Sequence, residues 1–219
     1  MLRTFIQYWK RTFPRLLAGT TLAELAQAAE GCRSALDLGC GGGSPSRHLG
    51  IPYLSGLDGH APSLQEARAN RTHQEYHLGD VRNIGGLFSP GQFEACIALD
   101  LIEHLTKDEG RQLLRDMEKI ALKRVIVFTP NGFLPQHGAE DDLQEHLSGW
   151  EPEEMHALGY RVIGMHGPKF LRGEYHRSRF LPRAIAGPLS IIGHFLYTRS
   201  HPEKASALLC IKDVGARLR

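Results

Sequence analysis

Four aspartates recur along the chain at nearly even intervals: Asp37, Asp58, Asp80 and Asp100 are separated by 21, 22 and 20 residues. The last three each end or closely follow a short apolar run. An interval of about 20 residues is the length of a strand, a helix and their short connections. The spacing therefore predicts an acid near the carboxyl end of four successive strands, at the edge of an open parallel sheet where ligands bind.

A glycine-rich turn follows the first of these acids, because residues 37–43 read Asp-Leu-Gly-Cys-Gly-Gly-Gly. Gly41 and Gly43 carry no Cβ, so the backbone can approach a ligand closely, and the helix that follows offers free N–H groups at its start. Taken alone, the turn is also compatible with a nicotinamide or flavin enzyme, or with no ligand at all. Combined with Asp58, placed to accept ribose hydroxyls, and Asp80, placed to accept the amine of adenine, it indicates a nucleoside-like ligand.

Length and composition favour one α/β domain. The chain has 219 residues, of which 42% are apolar, enough for a proper core. A net charge of +2 does not demand a nucleic-acid partner. The four cysteines are scattered without a CxxC pair, which favours small residues in a reducing interior. The sequence has no apolar signal-peptide region and no apolar run long enough to span a membrane. The protein is therefore expected to be cytoplasmic.

The hydrophobic pattern predicts seven strands, and S/T-x-x-E capping boxes predict helix starts at Thr21, Ser63 and Thr106. Residues 1–30 are interpreted as an N-terminal helical cap, and residues 31–219 as the ligand-binding domain with an insertion at about 170–204. The expected strands cover residues 34–38, 53–57, 75–78, 93–99, 124–129, 160–165 and 207–212.

The ordered motifs resemble those of class I S-adenosylmethionine-dependent methyltransferases, and most closely the broad group labelled methyltransferase type 11. The resemblance runs from about Ala35 to Gly167 and extends to a last strand near residues 207–212. It implies a Rossmann-like α/β fold: a seven-stranded, mostly parallel sheet of order 3-2-1-4-5-7-6, with strand seven antiparallel and helices on both faces. The motifs that carry it are Leu36–Gly43, Leu57-Asp58-Gly59, Leu78-Gly79-Asp80-Val81 and Ala98–Leu105.

The resemblance also implies S-adenosyl-L-methionine as cofactor and a role for each matching position. Asp58 would bind the ribose, and Asp80 with the Val81 backbone would hold the adenine. Leu99 and Asp100 would face the methyl group and the substrate. Asp37 would brace a turn whose glycines line the methionine part of the cofactor, namely Gly39, Gly41 and Gly43.

Three histidines are candidates for the base that a hydroxyl acceptor needs: His146, His104 and, with less support, His137. Glu103 precedes His104 in the loop after strand four, and the chain lacks the Pro-Pro-aromatic turn of amino-group methylases there. The preferred assignment has no metal. The alternative is a catalytic metal, because Asp100, Glu103, His104 and His146 are similar to the metal-binding pattern of small-RNA 3′-terminal ribose methyltransferases.

The insertion combines arginines with an apolar run that is too short to cross a bilayer. It is expected to fold against the domain, and a second hypothesis is contact with a membrane surface through about residues 170–200.

The sequence therefore predicts a methyltransferase that acts on a small molecule at oxygen. The alternatives are a lipid-linked or membrane-associated acceptor, ribose 2′-O-methylation of RNA, a cofactor-binding domain without turnover, and a nicotinamide oxidoreductase. A nucleic-acid partner is disfavoured because the basic residues are spread out, and the oligomeric state is left open.

Overall fold

A single seven-stranded sheet organises the chain, and a computed structural model describes residues 20–135, 145–169 and 189–215 of it. The strand order is β3-β2-β1-β4-β5-β7-β6. The first five strands pair in parallel, and β7 is antiparallel to both β5 and β6. The order and the strand directions confirm the predicted fold. The strands are β1 (Ser34–Leu38), β2 (Tyr53–Asp58), β3 (Glu75–Leu78), β4 (Phe93–Leu99), β5 (Ala121–Pro130), β6 (Arg161–Pro168) and β7 (Ala205–Asp213).

Helices connect these strands and cover both faces of the sheet. Residues 20–28 are helical and are called α1; the others are α2 (Ala61–Ala69), α3 (Ile84–Leu87), α4 (Lys107–Ile120) and α5 (Pro152–Ala157). Short 3₁₀ turns include Pro45–His48, Val81–Asn83, Ile102–His104 and Pro202–Lys204. A last helical segment, the 189–198 helix, is α-helical to residue 193 and π-helical over His194–Thr198.

Two apolar clusters fill the space between the sheet and its helices. One packs α4, through Leu113, Leu114 and Met117, against one face of the strands. The other packs α1, through Leu25 and Ala28, against the opposite face. Because both faces are covered, the central strands are apolar throughout, as expected for a buried parallel sheet.

The crevice for a ligand is fixed by the strand order. From β1 the chain adds β2 and β3 on one side of the sheet and then crosses to add β4 on the other side. The position between β1 and β4 is the switch point at which open α/β sheets bind ligands. The carboxyl ends of β1, β2, β3 and β4 meet at this edge, here called the active edge. The four regularly spaced aspartates lie on or just after these strand ends.

Helix α4 begins where its sequence predicts. The Thr106 side chain accepts the Glu109 N–H, and the Glu109 carboxylate accepts the Thr106 N–H, which completes the capping box. Helix α2, in contrast, starts at Ala61 with His60 as its N-cap, so the predicted start at Ser63 is wrong. Residue 20 is already helical, so α1 does not begin at the box of Thr21.

The predicted N-terminal cap and the predicted insertion are described only in part. Residues 1–19 and 170–188 lie outside the described residues, and so does the candidate His137. The four cysteines are buried and unpaired, as their spacing suggests. Among the described residues, no helix combines the length and the apolar character that crossing a membrane requires.

Candidate functional site

The glycine turn after β1 opens onto the active edge. Gly39 and Gly41 have φ values of +67° and +54°, a region that side-chain-bearing residues rarely adopt. A Cβ added to Gly41 would meet no atom within 4 Å, so the turn faces open space. The backbone at Gly41 is therefore open on this side, and its role in binding a ligand stays a prediction.

Asp58, at the end of β2, holds this turn in place. Its Oδ2 accepts the Gly41 N–H at 2.7 Å, and its Oδ1 accepts the His60 N–H at 2.7 Å. Each carboxylate oxygen can accept a second hydrogen bond. Asp58 therefore links the glycine turn to the second strand and keeps acceptor capacity at the place where a ribose is expected.

Asp37 is buried beneath the turn. Its Oδ2 accepts hydrogen bonds from the Ser46 hydroxyl and from Nε2–H of His73, the latter at 3.0 Å. Its Oδ1 is buried and has no hydrogen-bond partner among the described residues. These contacts fit the predicted bracing role, and they leave one oxygen in need of a donor.

Asp80, after β3, is engaged by a partner that the sequence analysis did not identify. Its Oδ1 accepts the Arg82 backbone N–H at 2.9 Å, and the Arg82 guanidinium forms an ion pair with its Oδ2 at 2.5 Å. Hydrogen bonds from Arg82 hold the pKa of the Asp80 carboxyl below its usual range. The next residue, Val81, is buried. The carboxylate is thus kept charged where adenine is predicted to bind.

The end of β4 turns sharply at Asp100, whose φ is +48°. Its backbone N–H donates to the Phe128 carbonyl at 2.9 Å, which extends the pairing of Leu99 with Phe128 by one residue. The side chain of Leu101 lies so close to Gly39 that a Cβ there would approach it to 2.9 Å. The turn after β4 therefore packs directly on the glycine turn.

Glu103 lies on the 3₁₀ turn after β4 and is buried. Its Oε2 accepts a hydrogen bond from the Thr129 hydroxyl at 3.0 Å. Burial, and then the negative charge of Asp100, raise the pKa of the Glu103 carboxyl. The turn after β4 thus holds an acid that takes up a proton more readily than usual.

His104 and His146 form a pair beside Glu103, although 42 positions separate them. Their ring centroids are 4.8 Å apart in an edge-to-face arrangement. Nδ1 of His104 lies 3.0 Å from the Glu145 carbonyl oxygen, and Nδ1 of His146 lies 2.7 Å from that of Leu134. A carbonyl oxygen only accepts, so both Nδ1 atoms must carry the proton. In each neutral ring Nε2 then keeps its lone pair.

Burial lowers the pKa of His104, and the neighbouring His146 acts in the same direction. The His104 ring is therefore neutral at pH 7. A neutral imidazole with a free Nε2 lone pair can accept a proton or bind a metal ion.

Backbone hydrogen bonds bring the two histidines together. The Leu147 and Ser148 N–H groups both donate to the Glu103 carbonyl, at 2.8 and 3.0 Å. The fully buried indole of Trp150 donates to the Ile102 carbonyl at 3.3 Å. Residues 145–150, here called the latch segment, are thus fastened to the turn after β4.

The candidate residues therefore form two groups at the active edge. Asp37, Asp58, Asp80 and the glycine turn surround the crevice at the switch point. Glu103, His104 and His146 form a second group, and the sequence analysis missed Thr129 as the partner of Glu103. Arg82 was missed because an exposed arginine gives no signal of its own in a single sequence.

The second group has the composition of a metal site. One ligand atom from each of Glu103, His104 and His146 lies within 4.8 Å of the others. Two imidazole nitrogens and a carboxylate oxygen suit several divalent ions. Metal–ligand bonds of about 2.0–2.2 Å would require the three atoms to move slightly closer together.

The chain is similar to known methyltransferases in sequence and in fold. Residues 35–123 match the family described as "Methyltransferase domain". No curated protein matches the sequence. A SAM-dependent methyltransferase from Archaeoglobus fulgidus is 17% identical, with a TM-score of 0.59 over 96% of this chain and 99% of that one.

Two further solved structures share the fold. Magnesium protoporphyrin IX methyltransferase from Synechocystis PCC 6803 is 17% identical, with a TM-score of 0.51 over 95% of this chain and 84% of that one. The methyltransferase domain of a bacterial protein, CtHen1, is 16% identical, with a TM-score of 0.55 over 90% of this chain and 96% of that one. At these identities the likeness shows the fold. It is the fold of class I S-adenosylmethionine-dependent methyltransferases, and residues 35–123 carry the matched methyltransferase domain.

Proposed function

We propose that this chain transfers the methyl group of S-adenosylmethionine to an oxygen atom of a small-molecule acceptor. The observation that carries the proposal is the pair of imidazoles, His104 and His146, whose Nδ1 protons are held by backbone carbonyls. The two rings lie beside Glu103 on the turn after β4, where the resemblance puts the transferred methyl, and these contacts leave the Nε2 lone pairs unused. An oxygen acceptor that starts as a hydroxyl needs such a base.

The first group of residues suits the cofactor. The glycine turn faces open space, and Asp58 at its side retains capacity to accept from ribose hydroxyls. The unpartnered Oδ1 of Asp37 would be satisfied by a donor on a bound cofactor, such as its ammonium group. The bound cofactor supplies an activated methyl on a positively charged sulfur, so the protein has no leaving group to activate.

What remains for the protein is to orient the acceptor and to take up its proton. Orientation contributes about 7–11 kcal/mol to a step of this kind. Proton uptake by a positioned histidine contributes a factor of about 10²–10⁴. His146 is the first choice for the base, because its Nδ1–H is held by the tighter carbonyl contact, and His104 is the second.

Apolar side chains flank the proposed acceptor site. Phe133 and Leu147 are both exposed. Leu147 belongs to the latch segment, and Phe133 lies against Gly149 of that segment. A Cβ added to Gly149 would lie 2.2 Å from the Phe133 nitrogen, so the two backbone stretches touch. This supports an acceptor that carries an apolar part beside its hydroxyl group.

Methyl labelling tests the oxygen assignment. The protein is incubated with S-adenosylmethionine carrying ¹³C in its methyl group and with matched phenols, hydroxy acids, amines and carbon nucleophiles of similar shape. We expect the labelled carbon of the product to resonate in the O-methyl region, well downfield of N-methyl and C-methyl carbons. Products labelled only on nitrogen or carbon would overturn the oxygen assignment and leave the proposed methyl transfer itself untouched.

A metal-assisted reaction is the second candidate, and the three clustered ligand atoms favour it. Glu103, His104 and His146 would hold the ion, which would lower the pKa of a bound hydroxyl and so replace the base. A ribose with vicinal hydroxyls, as at an RNA 3′ end, is the acceptor that suits such an ion. Turnover before and after treatment with a strong chelator decides between the two: full activity without metal excludes this candidate.

Calorimetry separates the remaining alternatives. Binding of S-adenosylhomocysteine but not of NADH is expected, and the reverse would favour an oxidoreductase. Binding without turnover on any acceptor, including a lipid-linked one, would favour a domain that binds the cofactor without catalysis.

A further inference from the structure

The 189–198 helix buries polar residues and exposes apolar ones, the reverse of the usual arrangement. Its buried residues are Ser190, His194 and Thr198. A helix packed on its own domain normally buries its apolar face and exposes its polar one. Here the exposed side chains are 46–79% accessible and are all large and apolar: Leu189, Ile192, Phe195, Leu196 and Tyr197.

Close packing on β6 explains the inner, polar face. A Cβ added to Gly164 would lie 1.9 Å from the Thr198 carbonyl oxygen, and one added to Gly167 would lie 2.7 Å from that of Ser190. The helix backbone therefore rests directly on the strand at its glycines. At these two glycines only the small residues Ser190 and Thr198 fit, whereas the larger His194 is buried with its Nε2 4.0 Å from the Glu24 carboxylate. Nothing in this packing accounts for the apolar outer face.

The helix cannot simply turn over to bury that face, because its end is fastened. The Arg199 guanidinium forms an ion pair with Glu24 of α1 at 2.6 Å, and the Arg199 carbonyl accepts the Gly164 N–H at 3.3 Å. Just beyond, the Asn131 side chain donates to the Ala205 carbonyl at 2.7 Å. The five apolar side chains are thus held outward by the fold.

The charge of the surrounding sequence indicates what the five exposed apolar side chains contact. Residues 175–202 contain no aspartate or glutamate, but they contain four arginines: Arg177, Arg179, Arg183 and Arg199. Arg199 is paired with Glu24, and the other three arginines precede the helix in the sequence. An apolar helix within such a basic stretch is typical of segments that lie in the interface of an anionic membrane.

The helix also lies at a useful place in the fold. Strands β5 and β6 are both antiparallel to β7, so their carboxyl ends meet at one edge of the sheet, the active edge. The start of the helix contacts the end of β6, since Gly193 packs against Pro168 and Ser190 against Gly167. A surface that received the apolar face would therefore lie near the edge where methyl transfer is proposed.

We propose that the 189–198 helix docks this protein on an anionic lipid surface, with its five exposed apolar side chains entering the interface. This proposal does not depend on the acceptor atom, because it concerns where the protein binds and not what it methylates.

Vesicle flotation with the full chain tests the proposal. The probes are phosphatidylcholine vesicles with and without phosphatidylglycerol. We expect the wild-type protein to float with the anionic vesicles and to bind the neutral ones less. Leu196→Gln and Phe195→Ser should each reduce binding by roughly tenfold, since each removes a large side chain from the interface. The matched control is Leu122→Gln, at an apolar side chain that is 42% exposed at the start of β5; it should bind as the wild type does.

Three results would overturn the proposal. The first is a wild-type protein that does not float with anionic vesicles. The second is binding by Leu196→Gln equal to that of the wild type. The third is a wild-type dimer that Leu196→Gln converts to monomer, without vesicle binding by either, which would assign the face to a second copy. The substituted side chains are exposed, so the variants should be about as stable as the wild type. Thermal unfolding checks that they are folded.

Discussion

A single methyl group added at Gly110 tests how the proposed acceptor site is held together. Gly110 lies in α4 directly against the indole of Trp150. A Cβ there would lie 2.5 Å from Cζ2 of the indole and 3.2 Å from Cη2. The ring is fully buried and rigid, and its Nε1–H donates to the Ile102 carbonyl and, at 3.1 Å, to the Ser148 hydroxyl. The indole must therefore shift if Gly110 becomes alanine.

Two opposing effects set the size of the change in stability. Alanine in place of glycine in a helix interior favours folding by about 1 kcal/mol. Overpacking a buried site costs about 1–3 kcal/mol. We expect Gly110→Ala to lower the free energy of unfolding by about 1 kcal/mol. The same substitution at a helical position without close neighbours would raise it by a similar amount.

The same shift should affect turnover. Trp150 ends the latch segment, so moving its ring also moves His146 relative to Glu103. We expect a lower kcat for Gly110→Ala on the acceptor found by methyl labelling. Affinity for S-adenosylhomocysteine should stay unchanged, because the glycine turn is a separate part of the site. Urea unfolding, calorimetry and turnover measure the three quantities.

Gly86→Ala is the matched control. Gly86 lies in α3, and a Cβ there would meet no atom within 4 Å. This variant should gain about 0.5 kcal/mol in stability and keep full activity. If Gly110→Ala gained as much stability as Gly86→Ala and turned over normally, Trp150 would not hold the latch segment in the way argued above.

Three further predictions concern the site itself. Asp58→Ala should weaken S-adenosylhomocysteine binding by about 1–3 kcal/mol in calorimetry, because the Gly41 and His60 N–H groups lose their acceptor; unchanged affinity would remove Asp58 from the cofactor site. His146→Ala should keep cofactor affinity and reduce kcat by a factor of about 10²–10⁴, and normal turnover would exclude this histidine as the base. Because burial lowers the pKa of His104 from its usual 6.5, a reaction that uses this base should lose rate as the pH falls below 6.5; a rate that stays unchanged from pH 7 down to pH 4 would contradict this.

Regular elements with strong local signals are predictable from the sequence. The bounds of β1, β3 and β4 agree with the expected ones, because each is a short run set off from its neighbours by turn residues. The capping box at Thr106 is formed as predicted. The start of α2 is not, because Pro62 favours the first helical turn and His60 caps the helix before it. The Ser63 hydroxyl then bonds to the His60 ring instead of capping the helix.

Contacts that depend on strand register or on loop conformation are harder to predict. The resemblance indicates which acids meet at the active edge, but the ion pair of Asp80 with Arg82 depends on a side chain that shows no pattern. Thr129 reaches Glu103 only because β5 lies beside β4 in one particular register. The approach of His146 to His104 depends on how residues 145–150 return to the sheet, for which a single sequence holds no periodic signal.

The way the latch segment is attached has an evolutionary consequence. Its Leu147 and Ser148 N–H groups and its indole all donate to main-chain carbonyls of Ile102 and Glu103. Every amino acid provides such a carbonyl, so the joint survives replacement of most side chains around it. Selection can therefore exchange the residues proposed to face the acceptor without rebuilding the part of the molecule proposed to bind the nucleoside. Loop grafting at this joint should accordingly alter acceptor preference while leaving S-adenosylhomocysteine binding unchanged.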